Sequence, residues 1–165
     1  MTVRPLRESD IHAVVAACQD PEIPRWTRVP SPYTVEDARR FFAIAETEAA
    51  AGEGLALAVA DAEDRLIGTV GLMGIDGEQG EIGYWTAATA RGRGVATRAV
   101  ILIRDWAHGA LGLREIEILA HRDNRPSQRV AERAGFRGTG GLRRVLTMPP
   151  GRRDGYMVYV WTAPS

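Results

Sequence analysis

The stretch TARGRGVAT, residues 89–97, places two glycines around an arginine, directly before an apolar pattern with helical spacing. Glycine lacks a Cβ, so its backbone can approach a ligand closely. The first N–H groups of a helix have no partner within the helix and carry a partial positive charge. The stretch therefore predicts an anion site at a helix start, typically one for phosphate. The alternative is a plain strand-to-helix turn that needs a positive φ at Gly92 or Gly94.

Two well-known phosphate motifs fit these residues poorly. A Walker loop needs Gly-Lys-Ser/Thr, and all 21 basic residues of this chain are arginines. The dinucleotide fingerprint needs a third glycine where Thr97 stands, and it follows the first strand of a parallel sheet. Here three predicted strands precede the glycines. An oxidoreductase with a nucleotide cofactor is therefore disfavoured.

The segments on either side of this stretch predict one mixed sheet with helices on its faces. Apolar patterns give the order strand, two helices, three strands, helix, strand, helix and two strands, the last two as a hairpin around PPGRRDG. The segment 21–33, PEIPRWTRVPSPY, is predicted as a structured loop. Thr34 and Asp37 resemble a capping box for the helix that follows it.

A helix between the strands EIGYW and REIEILAH requires these two strands to be parallel. The other neighbours are predicted to be antiparallel. The sequence thus predicts an α+β fold in a single domain, residues 1–165. We expect a mixed, mostly antiparallel sheet of about seven strands with one central parallel pair, flanked by about four helices.

The composition disfavours several classes of protein. The chain has 21 basic and 21 acidic residues, and this balance argues against a nucleic-acid-binding protein. The single cysteine, Cys18, allows no intramolecular disulfide, and no histidine at i±3 or i±4 would activate it as a nucleophile. The three histidines are scattered and indicate no metal site. Because the start MTVRPLRESD is too charged for a signal peptide and no apolar run is long enough to cross a membrane, we expect a cytoplasmic protein without a membrane partner.

The stretch RGRGVA, residues 91–96, matches Gln/Arg-x-x-Gly-x-Gly/Ala, the pyrophosphate-binding motif of the GNAT superfamily of N-acetyltransferases. EIGYW before the motif, NRPSQRVAERAGF after it, and LRRVL and GRRDGYMVY in the tail resemble the branch that acetylates ribosomal-protein N-termini. The beginning, VRPLRESD and DPEIPRWTRVPSPYTVEDA, is similar to that branch too. The resemblance covers nearly the whole chain and keeps its order.

The resemblance implies acetyl-CoA as the acyl donor. The pantetheine arm would lie along Trp85 and Thr86, although many relatives carry proline where TAAT stands here. Asn124 would bond the pantetheine amide, or serve only as the N-cap of the helix that follows it. Arg93 would add charge or point to solvent. The residues implied in binding the pyrophosphate are Arg91, Gly92, Arg93, Gly94, Val95, Ala96 and Thr97.

The resemblance also implies two catalytic residues. Glu81 would act as the general base, because relatives place a catalytic glutamate at this strand position; the alternative is a solvated glutamate at a strand start. Ser127 would give a proton to the leaving thiol or orient the sulfur, and the alternative is a serine bonded to backbone. Trp26 and Tyr33 would line the acceptor pocket or only pack their loop.

These features predict an acetyl-CoA-dependent N-acetyltransferase. A thioester is already activated, so a neutral amine can attack it directly in a ternary complex. The acceptor would be a protein N-terminal α-amine or a small-molecule amine. The alternatives are a non-catalytic acyl-CoA-binding sensor and a transferase for another acyl-CoA, such as succinyl-CoA. The chain would be a monomer or a homodimer.

Overall fold

The computed structural model describes residues 1–164 and contains, in that range, one seven-stranded sheet and five α-helices. The helices are α1 (Ile11–Cys18), α2 (Glu22–Trp26), α3 (Val35–Ala51), α4 (Val95–Leu111) and α5 (Arg125–Arg133). The strands are β1 (Thr2–Pro5), β2 (Leu55–Ala60), β3 (Leu66–Asp76), β4 (Gln79–Thr86), β5 (Glu115–His121), β6 (Arg137–Arg143) and β7 (Tyr156–Thr162). The predicted fold class is confirmed, with five helices instead of about four.

The additional helix, α2, occupies part of the segment that the sequence predicted as a loop. Its prolines suggested that prediction, yet Pro21 is the N-cap and Pro24 lies in the first turn. Proline is tolerated there because the N–H that it lacks would have no helical partner. The next helix, α3, begins as predicted: the Thr34 hydroxyl accepts from the Asp37 N–H at 3.2 Å, and the Thr34 N–H donates to the Asp37 carboxylate at 2.9 Å.

The strand order in the sheet is β1-β2-β3-β4-β5-β7-β6. Every neighbouring pair is antiparallel except β4 and β5, which are parallel as predicted. Two helical layers cover the sheet. Helices α4 and α5 enclose a core that contains Ile103 and Ile116, and α1 to α3 enclose a second core on the opposite face, with Val14 and Ile23.

The central parallel pair is forked. Strands β4 and β5 pair only at their beginnings, and their last register partners are Glu81 and Glu117. Beyond that point β4 still pairs with β3 as far as Thr86, and β5 still pairs with β7 as far as His121. Each strand therefore keeps its outer neighbour while the two separate from each other. The fork leaves a strand edge open at the centre of the sheet, where a ligand can reach main-chain groups.

Candidate active site

A cavity of about 1390 Å³ opens at the fork and runs from the start of α4 to the segment around α2. It brings together nearly all the residues that the sequence nominated. These are Trp26, Tyr33, Glu81, Trp85, Thr86, Arg91, Gly92, Gly94, Val95, Ala96, Thr97, Asn124 and Ser127. Arg93 is the exception, since it is exposed and outside the cavity lining.

The glycine loop has the geometry that both sequence interpretations require. Gly92 and Gly94 have φ values of 73° and 72°, so each occupies the left-handed region that favours glycine. Gly94 is also the N-cap of α4, and no side chain caps that helix within the described residues. The first-turn N–H groups therefore face the cavity without a side-chain acceptor, as an anion site needs.

Arg91 is anchored at the cavity wall by two contacts. Its Nε donates to the Thr86 carbonyl oxygen at 3.1 Å, and its Nη1 lies 2.7 Å from Asp20 Oδ2. The first contact ties the glycine loop to the end of β4, and the second ties it to the connection between α1 and α2. Arg93, two residues later, offers only its carbonyl oxygen to Arg98 at 3.1 Å. The two arginines of the motif are thus placed differently.

Asn124 caps α5 through its side chain, since Oδ1 accepts from the Ser127 N–H at 3.2 Å. The N-cap interpretation is therefore confirmed. Capping uses the oxygen of the amide group, whereas a ligand carbonyl would need the nitrogen. Because Asn124 also lines the cavity, the capped geometry leaves Nδ2 as the donor for a ligand.

Glu81 lies at the point where the fork opens. Strand alternation puts its side chain on the same face as Trp85, which packs against the core under α1 to α3. Burial raises the pKa of the Glu81 carboxyl above its usual value, and Arg28 opposes this shift electrostatically. Across the parallel pair, Glu117 accepts two bonds from Arg143, at 2.5 and 3.0 Å. Glu81 is thus a partly buried carboxyl beside the ion pair of Glu117 and Arg143, and the charge of Glu117 also raises its pKa. This is a suitable position for a group that takes up a proton.

A second cavity, of about 490 Å³, meets the first at Glu81. It is lined by charged side chains that include Arg28, Glu115, Glu117 and Arg143. Glu81 is therefore reached both from the fork and from a charged recess at the edge of β4 and β5.

Ser127 approaches the fork from the opposite face of the sheet, in the first turn of α5. Its Oγ lies 2.7 Å from the hydroxyl of Tyr84, which sequence reasoning missed. The sequence did contain a signal for Tyr84. Alternation along β4 puts Tyr84 on the same face as the buried Ile82. A tyrosine hydroxyl directed into a core needs a hydrogen-bond partner. Burial raises the pKa of Tyr84 to about 12.

Trp26 and Tyr33 line the acceptor end of the cavity in different ways. Trp26 packs against His121, with ring centroids 5.5 Å apart, and its indole N–H donates to Glu22 at 3.0 Å. Tyr33 is only 6% exposed and belongs to the core that α1 and α3 enclose. Packing is therefore a role of both side chains, and Trp26 is the more accessible of the two.

Two other sequence features have structural roles here. Arg152 donates to the carbonyl oxygen of Pro24, so it holds the connection between β6 and β7 against α2. Cys18 is buried, and desolvation raises its pKa to about 12, which keeps it a neutral thiol. Within residues 1–164, no group of three or more His, Cys, Asp or Glu side chains is arranged to hold a metal ion. In the same range, the helices are all too short or too polar to cross a membrane.

Comparison with known proteins connects this geometry to a family. The family model described as "Acetyltransferase (GNAT) domain" matches residues 1–137. The uncharacterized N-acetyltransferase p20 of Bacillus licheniformis is 29% identical over 147 residues, which cover 87% of this chain and 82% of that protein.

Two solved structures share the fold. One is ribosomal-protein-S5-alanine acetyltransferase from Vibrio fischeri, with a TM-score of 0.83 and 21% identity; the match covers 97% of this chain and 91% of that one. The other is spermidine N-acetyltransferase from Vibrio cholerae in complex with CoA and spermine, with a TM-score of 0.80 and 20% identity over 98% and 94% of the two chains. The family model spans most of the chain, and the fold and the motif agree with it, so this protein is an acetyltransferase that belongs to the GNAT family.

Proposed function

We propose that this protein transfers the acetyl group of acetyl-CoA to a primary amine, by direct attack in a ternary complex. The observation that carries the proposal is the fork between β4 and β5. It opens one cavity to a helix N-terminus on one side and to a partly buried carboxyl on the other. Such a cavity can hold a coenzyme and an amine at once.

The glycine loop suits the pyrophosphate of the coenzyme. The uncapped start of α4, residues 92–97, offers main-chain N–H groups to an anion, and Arg91 adds a charge at the same wall. Asn124 and the open edge of β4 at Trp85 and Thr86 would hold the pantetheine arm. The phosphate would therefore meet main-chain N–H groups and one positive charge, and the amide-rich arm would meet a strand edge and one side-chain amide.

The residues of the cavity support direct attack. When bound, acetyl-CoA supplies an acetyl thioester that is already activated. Cys18, the only cysteine, is buried with a raised pKa and lies outside the cavity lining, so it is unsuited to carry the acetyl group. The acceptor nitrogen would bond to the acetyl carbon as the carbon–sulfur bond breaks. Glu81 would receive the proton that the nitrogen loses and then release it to solvent.

The leaving sulfur would depart toward the opposite face of the fork. Ser127 would stabilise the thiolate there through its hydroxyl hydrogen, and the sulfur then takes one proton from solvent. One proton is thus lost by the amine and one is gained by the thiol in each turnover. The two sides of the fork divide this work, with Glu81 on the face of α1 to α3 and Ser127 on the face of α4 and α5.

The acceptor is a primary amine that enters past α2 and Trp26. A protein α-amine, with a pKa of about 7.7–8.0, needs less help from a base than a lysine-like amine with a pKa of about 10.4. Similar folds include an enzyme named for alanine of a ribosomal protein and one named for spermidine. We therefore carry both a protein N-terminus and a small amine as acceptor classes.

The first test is thermal unfolding with acetyl-CoA, coenzyme A, succinyl-CoA and NADH. A ligand at 100 times its Kd stabilises a protein by about 2.7 kcal/mol. For a chain of this size that free energy raises Tm by about 5–10 °C. We expect this shift with the CoA compounds and none with NADH. A failure of every CoA compound at millimolar concentration would refute the proposal.

Turnover is tested by release of the CoA thiol with two acceptor panels. One contains peptides that begin with alanine or serine, and the other contains small amines such as spermidine. Thiol release that depends on one panel assigns the acceptor class. A Tm shift without thiol release from any panel would favour the alternative, a non-catalytic acyl-CoA sensor. Faster release from succinyl-CoA than from acetyl-CoA would favour the other acyl donor.

A further inference from the structure

One hydrogen bond between side chains crosses the fork. The proposed mechanism uses one of its two residues, Ser127, and gives no role to the other, Tyr84. The Tyr84 hydroxyl lies 2.7 Å from Ser127 Oγ and 3.3 Å from the Ser127 carbonyl oxygen. Tyr84 projects from β4, and Ser127 belongs to α5 on the other side of the opening. Both residues line the cavity. This contact therefore connects β4 to α5 in the part of the fork where β4 and β5 no longer pair.

We propose that Tyr84 is a positioning residue, whose hydroxyl donates to Ser127 Oγ and thereby directs the serine hydrogen toward the coenzyme sulfur. The inference rests on the proposed function of the site. Each hydroxyl has one hydrogen, so only two arrangements of the pair are available. If Ser127 donates to Tyr84, no serine hydrogen remains for a ligand. If Tyr84 donates to Ser127, the serine hydrogen can point into the cavity.

The acidities of Tyr84 and of the coenzyme thiol show why Tyr84 would orient Ser127 and would not give a proton to the sulfur. Burial raises the pKa of Tyr84 to about 12, whereas an ordinary thiol has a pKa of about 8.5. A proton would therefore move uphill from tyrosine to thiolate. Tyr84 keeps its hydrogen. The hydrogen bond that it donates to Ser127 Oγ polarises the Ser127 hydroxyl and makes it a stronger donor.

The alternative is that Tyr84 only fills the core beside α4. Its ring does pack against that core, and phenylalanine would preserve the packing while removing the hydroxyl. Tyr84→Phe is therefore the informative change. Tyr159→Phe is the matched control, because Tyr159 is another tyrosine of the same core but does not line the cavity. Equal Tm values for the two variants would show that folding is equally preserved.

The kinetic test is a double-mutant cycle with Tyr84→Phe, Ser127→Ala and the double variant. Without the Tyr84 hydroxyl, the Ser127 hydroxyl would no longer be directed to the departing thiolate. The loss of one hydrogen bond to that charged sulfur lowers kcat about ten-fold. We expect this loss for Tyr84→Phe with the KM for acetyl-CoA within about two-fold, and no further loss when Tyr84→Phe is added to Ser127→Ala. Unchanged kcat in Tyr84→Phe, or losses that multiply in the double variant, would overturn the proposal.

A binding test needs no turnover and separates this inference from the proposed function. Calorimetry at pH 9, where a fraction of the CoA thiol is ionised, compares coenzyme A with desulfo-CoA. We expect the wild-type protein and Tyr159→Phe to bind coenzyme A more tightly than desulfo-CoA by about five-fold or more. Tyr84→Phe and Ser127→Ala should bind the two compounds equally. A wild-type preference that persists in Tyr84→Phe would contradict the role of Tyr84, whereas absent thiol release with any amine would contradict the proposed function alone.

Discussion

The coenzyme side and the acceptor side of the fork are built in opposite ways. The coenzyme side that we propose comes from short, continuous segments, the glycine loop with its main-chain N–H groups and the first turn of α5 with Asn124 and Ser127. The acceptor side consists of side chains held by contacts between distant parts of the chain, such as Arg152 with Pro24 and Trp26 with His121. A main-chain site depends on backbone conformation, so many sequences can form it. A side-chain site changes with each substitution, and the acceptor side is therefore where specificity would reside.

Glu81, where the two sides meet, should give the largest effect. Glu81→Gln removes the proposed general base while keeping the size of the side chain. We expect kcat to fall by about 10²- to 10⁴-fold, with coenzyme affinity nearly unchanged. Glu115→Gln is the matched control, because Glu115 lies in the same charged recess and bonds Gln79 at 2.9 Å. Its kcat should stay within about two-fold of wild type, because it touches neither proposed reactant.

The pH profile sharpens this first prediction. Burial raises the pKa of Glu81 above 4.5, and a protonated carboxyl cannot accept a proton. The wild-type rate should therefore fall as the pH drops through that raised pKa, in addition to a fall below the pKa of the acceptor amine. Glu81→Gln should lose the lower of these two limbs and keep the other. An unchanged profile, or an equal loss of kcat in Glu115→Gln, would mean that Glu81 is not the base.

Arg91 tests whether the coenzyme side depends on position or on bulk charge. Arg91→Ala removes a charge from the cavity wall and an anchor to Thr86. We expect the Kd for coenzyme A to rise about 10- to 100-fold, as for a lost hydrogen bond to a charged group. Arg93→Ala removes the same charge from an exposed position two residues away and should change Kd less than about three-fold. Calorimetry on both variants decides the matter, since equal losses would indicate general attraction in place of a specific contact.

The coenzyme side could be predicted from sequence to a large extent. A pattern of glycines before a helix specifies local backbone conformation, and the structure has positive φ at Gly92 and Gly94. The predicted parallel pair and the cap at Asn124 were also local or topological inferences. The direction of Arg93 was not accessible, because the chain position of a side chain in a turn does not fix where the turn points it.

The fork and the acceptor side could not be predicted from residue patterns. Alternation along EIGYW identifies a strand but does not say how many of its residues pair with a neighbour. The contact between Tyr84 and Ser127 joins residues 43 positions apart, so no local pattern predicts it. Helix α2 was missed for a different reason, since prolines in a first helical turn look like prolines in a loop.

Gly83→Ala tests the acceptor side by adding a single carbon atom, the Cβ of residue 83. A Cβ at Gly83 would meet the Met73 Cε at 2.7 Å, so the flexible end of Met73 must move. Arg28, which donates to the sulfur of Met73 at 2.9 Å, would be displaced with it. We expect Gly83→Ala to raise the KM for the acceptor about three- to ten-fold, because a shift of Arg28 at the cavity wall would weaken acceptor binding by roughly 1 kcal/mol.

The KM for acetyl-CoA should remain within about two-fold in Gly83→Ala, because neither Met73 nor Arg28 belongs to the glycine loop. Adding Met73→Ala removes the clash and serves as the control. That double variant should recover part of the acceptor KM. If Gly83→Ala changed the KM of both substrates equally, the division of the fork into two sides would be wrong at β4.

Asp20 should give the smallest effect, and it is the residue that could break the comparison itself. Asp20 lies in the connection between α1 and α2, yet its carboxylate pairs with Arg91 of the glycine loop at 2.7 Å. Asp20→Asn preserves the bond that Oδ1 accepts from the Glu22 N–H at 3.1 Å. The pair is partly exposed, so its loss costs roughly 0.5–1 kcal/mol. We expect the Kd for coenzyme A to rise about two- to five-fold.

Whether the Kd for coenzyme A rises or falls in Asp20→Asn shows how the acceptor side affects the coenzyme side. Weaker binding in Asp20→Asn, with no further loss in the double variant Asp20→Asn/Arg91→Ala compared with Arg91→Ala, would mean that the acceptor side holds Arg91 in place for the coenzyme. Tighter binding would mean that Asp20 competes with phosphate for Arg91, because an anion gains when a neighbouring carboxylate is removed. In the first case an ordered acceptor side favours coenzyme binding. In the second the coenzyme must displace Asp20, and binding would loosen the connection to α2, past which we propose that the amine enters.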